Sequence, residues 1–164
     1  MVKKYKLFFC FTLIYFSGVS QNVQLVYNGT KKEILDAVAE ANKLLSNPAF
    51  YKSVNAIQTF DNTNYSGAKI VMEMNAIKTI HVTEYYKRFS KTNAKTQTEI
   101  RINTARLNRH LSSIVNTLIH ETIHAVDWLS NSKWDYTHKS QKEEIPPISA
   151  PYMIGAIAEK MILP

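Results

Sequence analysis

The chain has 164 residues, of which 45% are hydrophobic and 20% charged, and its formal net charge is +7. This length suits one domain, and the apolar content excludes a largely disordered chain. No internal repeat is present, so the sequence does not predict a solenoid or another repeat architecture.

Residues 1–20 predict a secretory signal peptide. Lysines at positions 3, 4 and 6 precede an apolar run over residues 7–16, which is too short to span a bilayer. Residues 18–20 then place small side chains before a cleavage site after Ser20. We therefore expect a mature domain of residues 21–164 that is secreted or periplasmic and makes no contact with a membrane after cleavage.

Removal of the signal peptide changes the charge and the redox chemistry of the chain. It takes away three lysines and no acid, so the net charge falls from +7 by three to +4. This modest charge does not argue for a nucleic-acid partner. Cys10 is the only cysteine, so the mature chain has no disulfide. We expect a monomer that binds no nucleic acid.

The first half of the mature chain predicts a short extended arm and two helices. Residues 21–29 form the arm, which ends at a turn. Apolar residues at helical spacing predict a helix over residues 31–46, with Thr30 and Glu33 as a capping box and Asn47-Pro48 as its end. Residues 49–67 are ambiguous: their apolar residues recur at near-helical intervals up to position 60, which is compatible with a short helix that leads into a polar turn.

Three β-like runs follow, over residues 68–74, 79–86 and 97–103, in which apolar and polar side chains alternate. Between the last two runs, residues 87–95 are polar and basic, which predicts a solvated loop or hairpin tip. With the helices on either side, these strands predict a small α+β domain in which an antiparallel or mixed sheet packs against helices.

Residues 111–130 predict the central helix and contain the pattern H-E-x-x-H. A helix turns by about 100° per residue, so His120 and His124 lie one turn apart on one face, and both imidazoles can reach one zinc ion beside Glu121. By chance, a chain of this composition contains H-E-x-x-H about one time in a hundred. On a helical wheel the motif lies in a polar strip opposite an apolar one, which predicts a buried back and a polar front. The polar strip consists of Ser113, Asn116, Thr117, His120, His124 and Asp127.

A catalytic zinc site needs a third protein ligand, because such sites use three and keep the fourth position for water. Asp127 lies about 10 Å along the axis from His120, so we expect it to orient a ligand histidine or to form a salt bridge. His138 is the predicted third ligand, because the chain between His124 and His138 is long enough to turn back over the helix. The alternatives are Glu143, Glu144, Glu159, Asp135 and His81. After the irregular residues 131–150, Pro151 opens a predicted C-terminal helix.

The segment His120-Glu121-Thr122-Ile123-His124 is the signature of the zincin metallopeptidases, and the strands before it are similar in order to the zincin core. A further histidine after the motif resembles the layout of SprT-like zincins. The resemblance implies one Zn²⁺ per chain on His120, His124 and His138, with catalysis by Glu121. The chain departs from that group in its signal peptide, in its lack of cysteines for a zinc ribbon and in Lys139, where the group tends to have glycine. Asp127 likewise occupies the glycine position of the longer metzincin motif.

These features predict an exported zinc metallopeptidase with a peptide or protein substrate, in which Glu121 is the general base. Tyr136 and Tyr152 are candidate donors to the oxyanion, because both lie in segments that could cover the site. The strand at 97–103 is expected to pair with an extended peptide. Two alternatives stay open: a zinc amidase that hydrolyses peptidoglycan peptides, and a non-catalytic binding module on a zincin-like scaffold.

Overall fold

The computed structural model describes residues 22–61, 63–90, 92–130, 135–136 and 148–163. These residues form a four-stranded mixed sheet and five α-helices, which confirms the expected small α+β domain. Among them, every helix is too short or too polar to cross a membrane. The elements are β1 (Gln24–Tyr27), α1 (Lys32–Leu45), α2 (Pro48–Asn55), α3 (Gly67–Ala76), β2 (Thr79–Tyr85), β3 (Ala94–Thr96), β4 (Glu99–Asn103), a 3₁₀ turn (Thr104–Arg106), α4 (Leu111–Leu129) and α5 (Ala150–Ile162).

The sheet has the strand order β1-β2-β4-β3, in which β2 is parallel to β1 and to β4, and β3 is antiparallel to β4. The strands predicted at 79–86 and 97–103 are confirmed, and their alternation has the expected cause. Isoleucines and Val82 on one face are buried beneath the helices, while residues such as His81 and Arg101 point to the opposite face. Part of the predicted basic loop is a strand, β3, and it forms the edge of the sheet beyond β4.

Helix α1 is confirmed, but its predicted capping box is wrong. The N-cap is Lys31, one residue after Thr30, and no side chain caps the helix. Asn47 both follows the end of α1 and caps α2, because its side chain accepts a hydrogen bond from the Ala49 N–H at 2.9 Å. Asn42 ties α1 to the edge of the sheet, since its amide bonds both the N–H and the C=O of Leu25 in β1.

The strand predicted at 68–74 is wrong, because these residues form helix α3. Ser66 caps this helix through a hydrogen bond from the Lys69 N–H to its hydroxyl. Ile70 and Met74 are buried at the i, i+4 spacing of a helix, whereas Met72, which an alternating strand would place on the same face, is exposed. The helix-forming residues of this segment, alanine, lysine, methionine and glutamate, fit this outcome.

Helix α4 has the predicted position, but its polar front does not face open solvent. It packs against β3 and β4 on one side, and helices α1 and α5 pack against its other sides. Polar members of the strip, including Thr117, His120 and Asp127, are therefore buried along with its apolar residues. The predicted C-terminal helix is confirmed as α5, and it lies against the polar strip of α4.

Candidate metal centre

The structure brings His120 and His124 together on α4, as one helical turn requires. Their Nε2 atoms are 3.2 Å apart, and both residues are buried. Two histidine nitrogens on one tetrahedral zinc ion, with Zn–N distances near 2.0–2.1 Å, lie about 3.3–3.4 Å apart. The two imidazoles therefore present their nitrogens at a spacing that fits two corners of a zinc tetrahedron.

No group of three histidine, cysteine, aspartate or glutamate side chains suited to a metal forms among residues 22–61, 63–90, 92–130, 135–136 and 148–163. The predicted ligand His138 lies outside the described residues, as do Glu143 and Glu144. The alternative Glu159 is described, and its carboxylate accepts a hydrogen bond from Asn116, one turn before His120 on α4, at 2.6 Å. The described part of the site thus contains two candidate ligands.

Glu121 is held by the edge strand of the sheet. The hydroxyl of Thr96 in β3 donates a hydrogen bond to Glu121 Oε2 at 2.5 Å. Burial raises the pKa of Glu121 to about 7, and the Thr96 hydrogen bond acts in the opposite direction. The hydrogen bond uses Oε2, which leaves Oε1 of the carboxylate to meet a water or a substrate.

The two tyrosines proposed as oxyanion donors have different surroundings. The ring of Tyr152, on α5, contacts the His120 ring edge-on, with centroids 4.5 Å apart. Tyr136 is fully buried, its hydroxyl donates to Glu73 Oε2 at 2.9 Å, and its ring packs against Tyr65. The structure therefore brings Tyr152 to the histidine pair, and it places the Tyr136 hydroxyl on a carboxylate of α3.

Tyr136 belongs to an anchor that ties the chain after α4 back to α3 and α4. Asp127 accepts a hydrogen bond from the backbone N–H of Asp135 at 3.3 Å, and Ser130 donates to Glu73. This role replaces the predicted one, in which Asp127 orients a histidine or forms a salt bridge. Burial raises the pKa of Asp127 to about 6, and burial together with Glu73 raises the pKa of Tyr136 well above its usual value.

Gly155 allows α5 to approach α4 closely next to the site. A Cβ atom at this position would lie 2.5 Å from Asn116 Oδ1 and 3.1 Å from the Asn116 backbone oxygen. A larger residue would displace the Asn116 side chain and require the Asn116 backbone to shift by a few tenths of an ångström. Gly155 thus permits the close approach of α5 to α4, three residues after Tyr152.

Sequence reasoning missed Thr96 and Glu73. Thr96 lies just before the alternating run that forms β4, so the sequence is compatible with a hairpin at this point. No local pattern shows, however, that the Thr96 hydroxyl bonds to Glu121. Glu73 was assigned to a strand with a two-residue period. In the structure it is a buried residue of helix α3, where a period of about 3.6 residues applies.

Comparison of the chain with family models, with curated protein sequences and with solved structures gave no significant match. The functional interpretation therefore rests on the histidine pair, on Glu121 and on the elements that contact them.

Proposed function

We propose that the chain is an exported zinc metallopeptidase with a zincin-like site, which hydrolyses peptide bonds. One observation carries the proposal: two histidine Nε2 atoms lie 3.2 Å apart on a helix whose intervening Glu121 bonds to the edge strand of the sheet. A zinc ion on His120 and His124 would supply a Lewis acid that polarises a carbonyl and acidifies water.

Glu121 is the general base in this proposal. Its carboxylate takes the proton of the attacking water and later delivers it to the leaving amine nitrogen. The Thr96 hydroxyl fixes Oε2, so Oε1 is the atom that we assign to this proton transfer. Tyr152 is the preferred donor to the oxyanion of the substrate, because its ring already contacts His120.

The substrate strand is assigned to β3 rather than to residues 97–103. β4 is hydrogen-bonded on both sides, to β2 and to β3, so it has no free edge for a peptide. β3 is the terminal strand of the described sheet and carries Thr96 next to Glu121. An extended peptide added to β3 would complete the sheet beside the catalytic carboxylate.

His138 remains the proposed third ligand, and the anchor at Tyr136 supports this choice. Asp135, the residue before Tyr136, donates its backbone N–H to Asp127, which follows His124 by three residues on α4. Three further residues of chain reach at most about 11 Å. The anchor thus starts the segment that contains His138 close to the end of α4 that carries the histidines.

The test uses the chain without residues 1–20. We expect about one zinc per chain by elemental analysis and hydrolysis of an unfolded protein substrate. Glu121→Gln should retain the metal and lose hydrolysis, whereas His124→Ala and His138→Ala should lose the metal. Glu159→Gln is the matched control, because it removes a carboxylate that is hydrogen-bonded to Asn116, and it should retain the metal.

The outcomes separate the three functions. Full hydrolysis by Glu121→Gln, or absence of zinc from the purified chain, would refute the proposal. Cleavage of peptidoglycan peptides but not of proteins would support the amidase alternative. Bound zinc with no hydrolysis of either substrate would support the binding module.

A further inference from the structure

One buried residue holds the described part of the loop between β2 and β3, residues 86–90 and 92–93. Asn103 is fully buried, and its side chain bonds the N–H and the C=O of Lys87 and the C=O of Thr92 at 3.0–3.1 Å. Its backbone N–H also donates to the C=O of Asn93 at 2.8 Å. Four hydrogen bonds from one residue thus hold both ends of the loop.

This fixed loop projects aromatic side chains into solvent. The N–H of Ser90 bonds the C=O of Lys87, which closes a turn with Arg88 and Phe89 at its two central positions. Phe89 is 92% exposed and Tyr86 is 70% exposed. Among the described large hydrophobic residues these exposed fractions are the highest, although Asn103 orders the backbone beneath them. An ordered turn that holds a phenylalanine in water suggests a binding surface.

The charge around this turn has one sign. Residues 85–98 contain four cations, at positions 87, 88, 91 and 95, and no acid. The guanidinium of Arg88 lies over the Phe89 ring, 5.6 Å from its centroid. The turn therefore presents an aromatic ring beside a cation, and the sequence between Glu84 and Glu99 is basic, whereas the whole mature chain is only mildly basic.

We propose that the 86–93 loop docks the protein on an anionic lipid surface, with Phe89 and Tyr86 in the interface and the cations on the headgroups. Aromatic rings favour the membrane–water interface, and each nearby cation adds to the attraction of an anionic leaflet. A single-stranded nucleic acid is less suited, because it binds a basic groove lined by stacking platforms, and Phe89 lies at the corner of a projecting turn. The proposal departs from the expectation that the mature chain avoids membranes.

The experiment measures sedimentation of the chain with vesicles. Residues 1–20 are omitted, because they are the expected signal peptide and their apolar run would itself bind lipid. We expect binding to vesicles of mixed phosphatidylcholine and phosphatidylglycerol, weaker binding in high salt and none to pure phosphatidylcholine. Phe89→Ser should weaken partitioning about tenfold. Lys87→Ser combined with Arg88→Ser should weaken it about thirtyfold.

Matched controls remove the same groups elsewhere. Met72→Ser deletes another exposed hydrophobic side chain, on α3, and Lys52→Ser with Lys78→Ser removes two exposed cations from other surfaces. These variants should bind as the parent chain does. Because the chain without residues 1–20 has no cysteine, Phe89→Cys with a polarity-sensitive dye reports insertion, and Met72→Cys serves as its control.

Two results would overturn the proposal. One is an absence of binding to the anionic vesicles, or binding that the loop variants and the controls weaken equally. The other is that the chain does not bind the vesicles but binds a single-stranded oligonucleotide, and that this binding depends on Phe89, Lys87 and Arg88. This result would assign the loop to nucleic-acid binding.

Discussion

Replacement of Tyr136 by phenylalanine separates the two roles that the sequence and the structure assign to this residue. As an oxyanion donor, Tyr136 would affect catalysis and leave stability unchanged. As the anchor of the chain after α4, it would affect stability first. The substitution removes only the hydroxyl, and the ring retains its packing against Tyr65.

The magnitude follows from the hydrogen bond that is lost. The Tyr136 hydroxyl is buried and donates to the carboxylate of Glu73 at 2.9 Å. A hydrogen bond to a charged group contributes about 1.5–3 kcal/mol. Ser130 still donates to the same oxygen and Lys69 pairs with the other one at 3.5 Å, so Glu73 keeps partners after the substitution. We therefore expect Tyr136→Phe to lower the free energy of unfolding by about 2 kcal/mol and the Tm by roughly 4–8 °C.

Urea unfolding followed by circular dichroism measures this difference, with Tyr65→Phe as the control. Tyr65 also donates its hydroxyl to a carboxylate, that of Asp135, but at 3.3 Å and in an exposed setting. Its loss should cost less than about 1 kcal/mol. Equal stability of Tyr136→Phe and the parent chain, together with reduced hydrolysis, would refute the anchor and restore the oxyanion assignment.

The same variant has a predictable pH dependence. Because the folded-state pKa of Tyr136 is raised, its contribution to stability is complete below the usual tyrosine value near 10 and is lost as the pH rises above it. Tyr136→Phe lacks this contribution at every pH. The difference in unfolding free energy between the two chains should therefore narrow above about pH 10.

Three other substitutions test the packing and the site. Burial raises the pKa of Asp127 to about 6, so its ionisation lowers stability between about pH 4 and 6. Asp127→Asn should match the parent chain in urea unfolding at pH 4 and exceed its free energy of unfolding at pH 7 by about 1 kcal/mol, because solvent screening weakens the effect of the shift. Gly155→Ala should destabilise by about 1–3 kcal/mol through its clash with Asn116, despite the better helix propensity of alanine, and a rise in the urea midpoint would contradict this. Thr96→Val should reduce peptide hydrolysis about tenfold with zinc content unchanged, and Thr96→Ser should restore it, since only the hydroxyl holds Glu121.

Elements were predictable from the sequence where their apolar residues fit only the helical period or only the strand period. Helix α1 and strands β2 and β4 follow directly from their apolar spacing, because each buries one face against the core. Residues 68–74 failed because Ile70 and Met74 satisfy both an alternating strand and an i, i+4 helix. Whether such a short apolar run forms a helix or a strand depends on the segments that pack against it. Here the buried Glu73 bonds to Tyr136, which is distant in sequence, and the local pattern does not show this contact.

The sequence predicts the part of the candidate site that lies on α4, and it does not predict the residues that other elements contribute. The spacing of His120 and His124 follows from helix geometry alone, and their Nε2 separation agrees with it. Their burial was not predictable, because it results from α5, whose position against α4 depends on Gly155. The strand that contacts Glu121 was also missed, since a parallel β2–β4 pair with β3 beyond it is a tertiary arrangement that alternation does not encode.

The contact between Thr96 and Glu121 weighs on whether this site is catalytic or structural. A structural zinc site closes the metal with four protein ligands and has no use for a carboxylate held beside it. Here the described residues offer two histidines, and the glutamate between them in sequence bonds to the terminal strand of the sheet, where a peptide backbone can pair. Tyr152 approaches the same histidines from α5. The candidate base thus lies on the histidines' own helix, the edge strand β3 bonds to that base, and a candidate oxyanion donor on α5 contacts His120. This arrangement fits the proposed peptide hydrolysis better than a binding module.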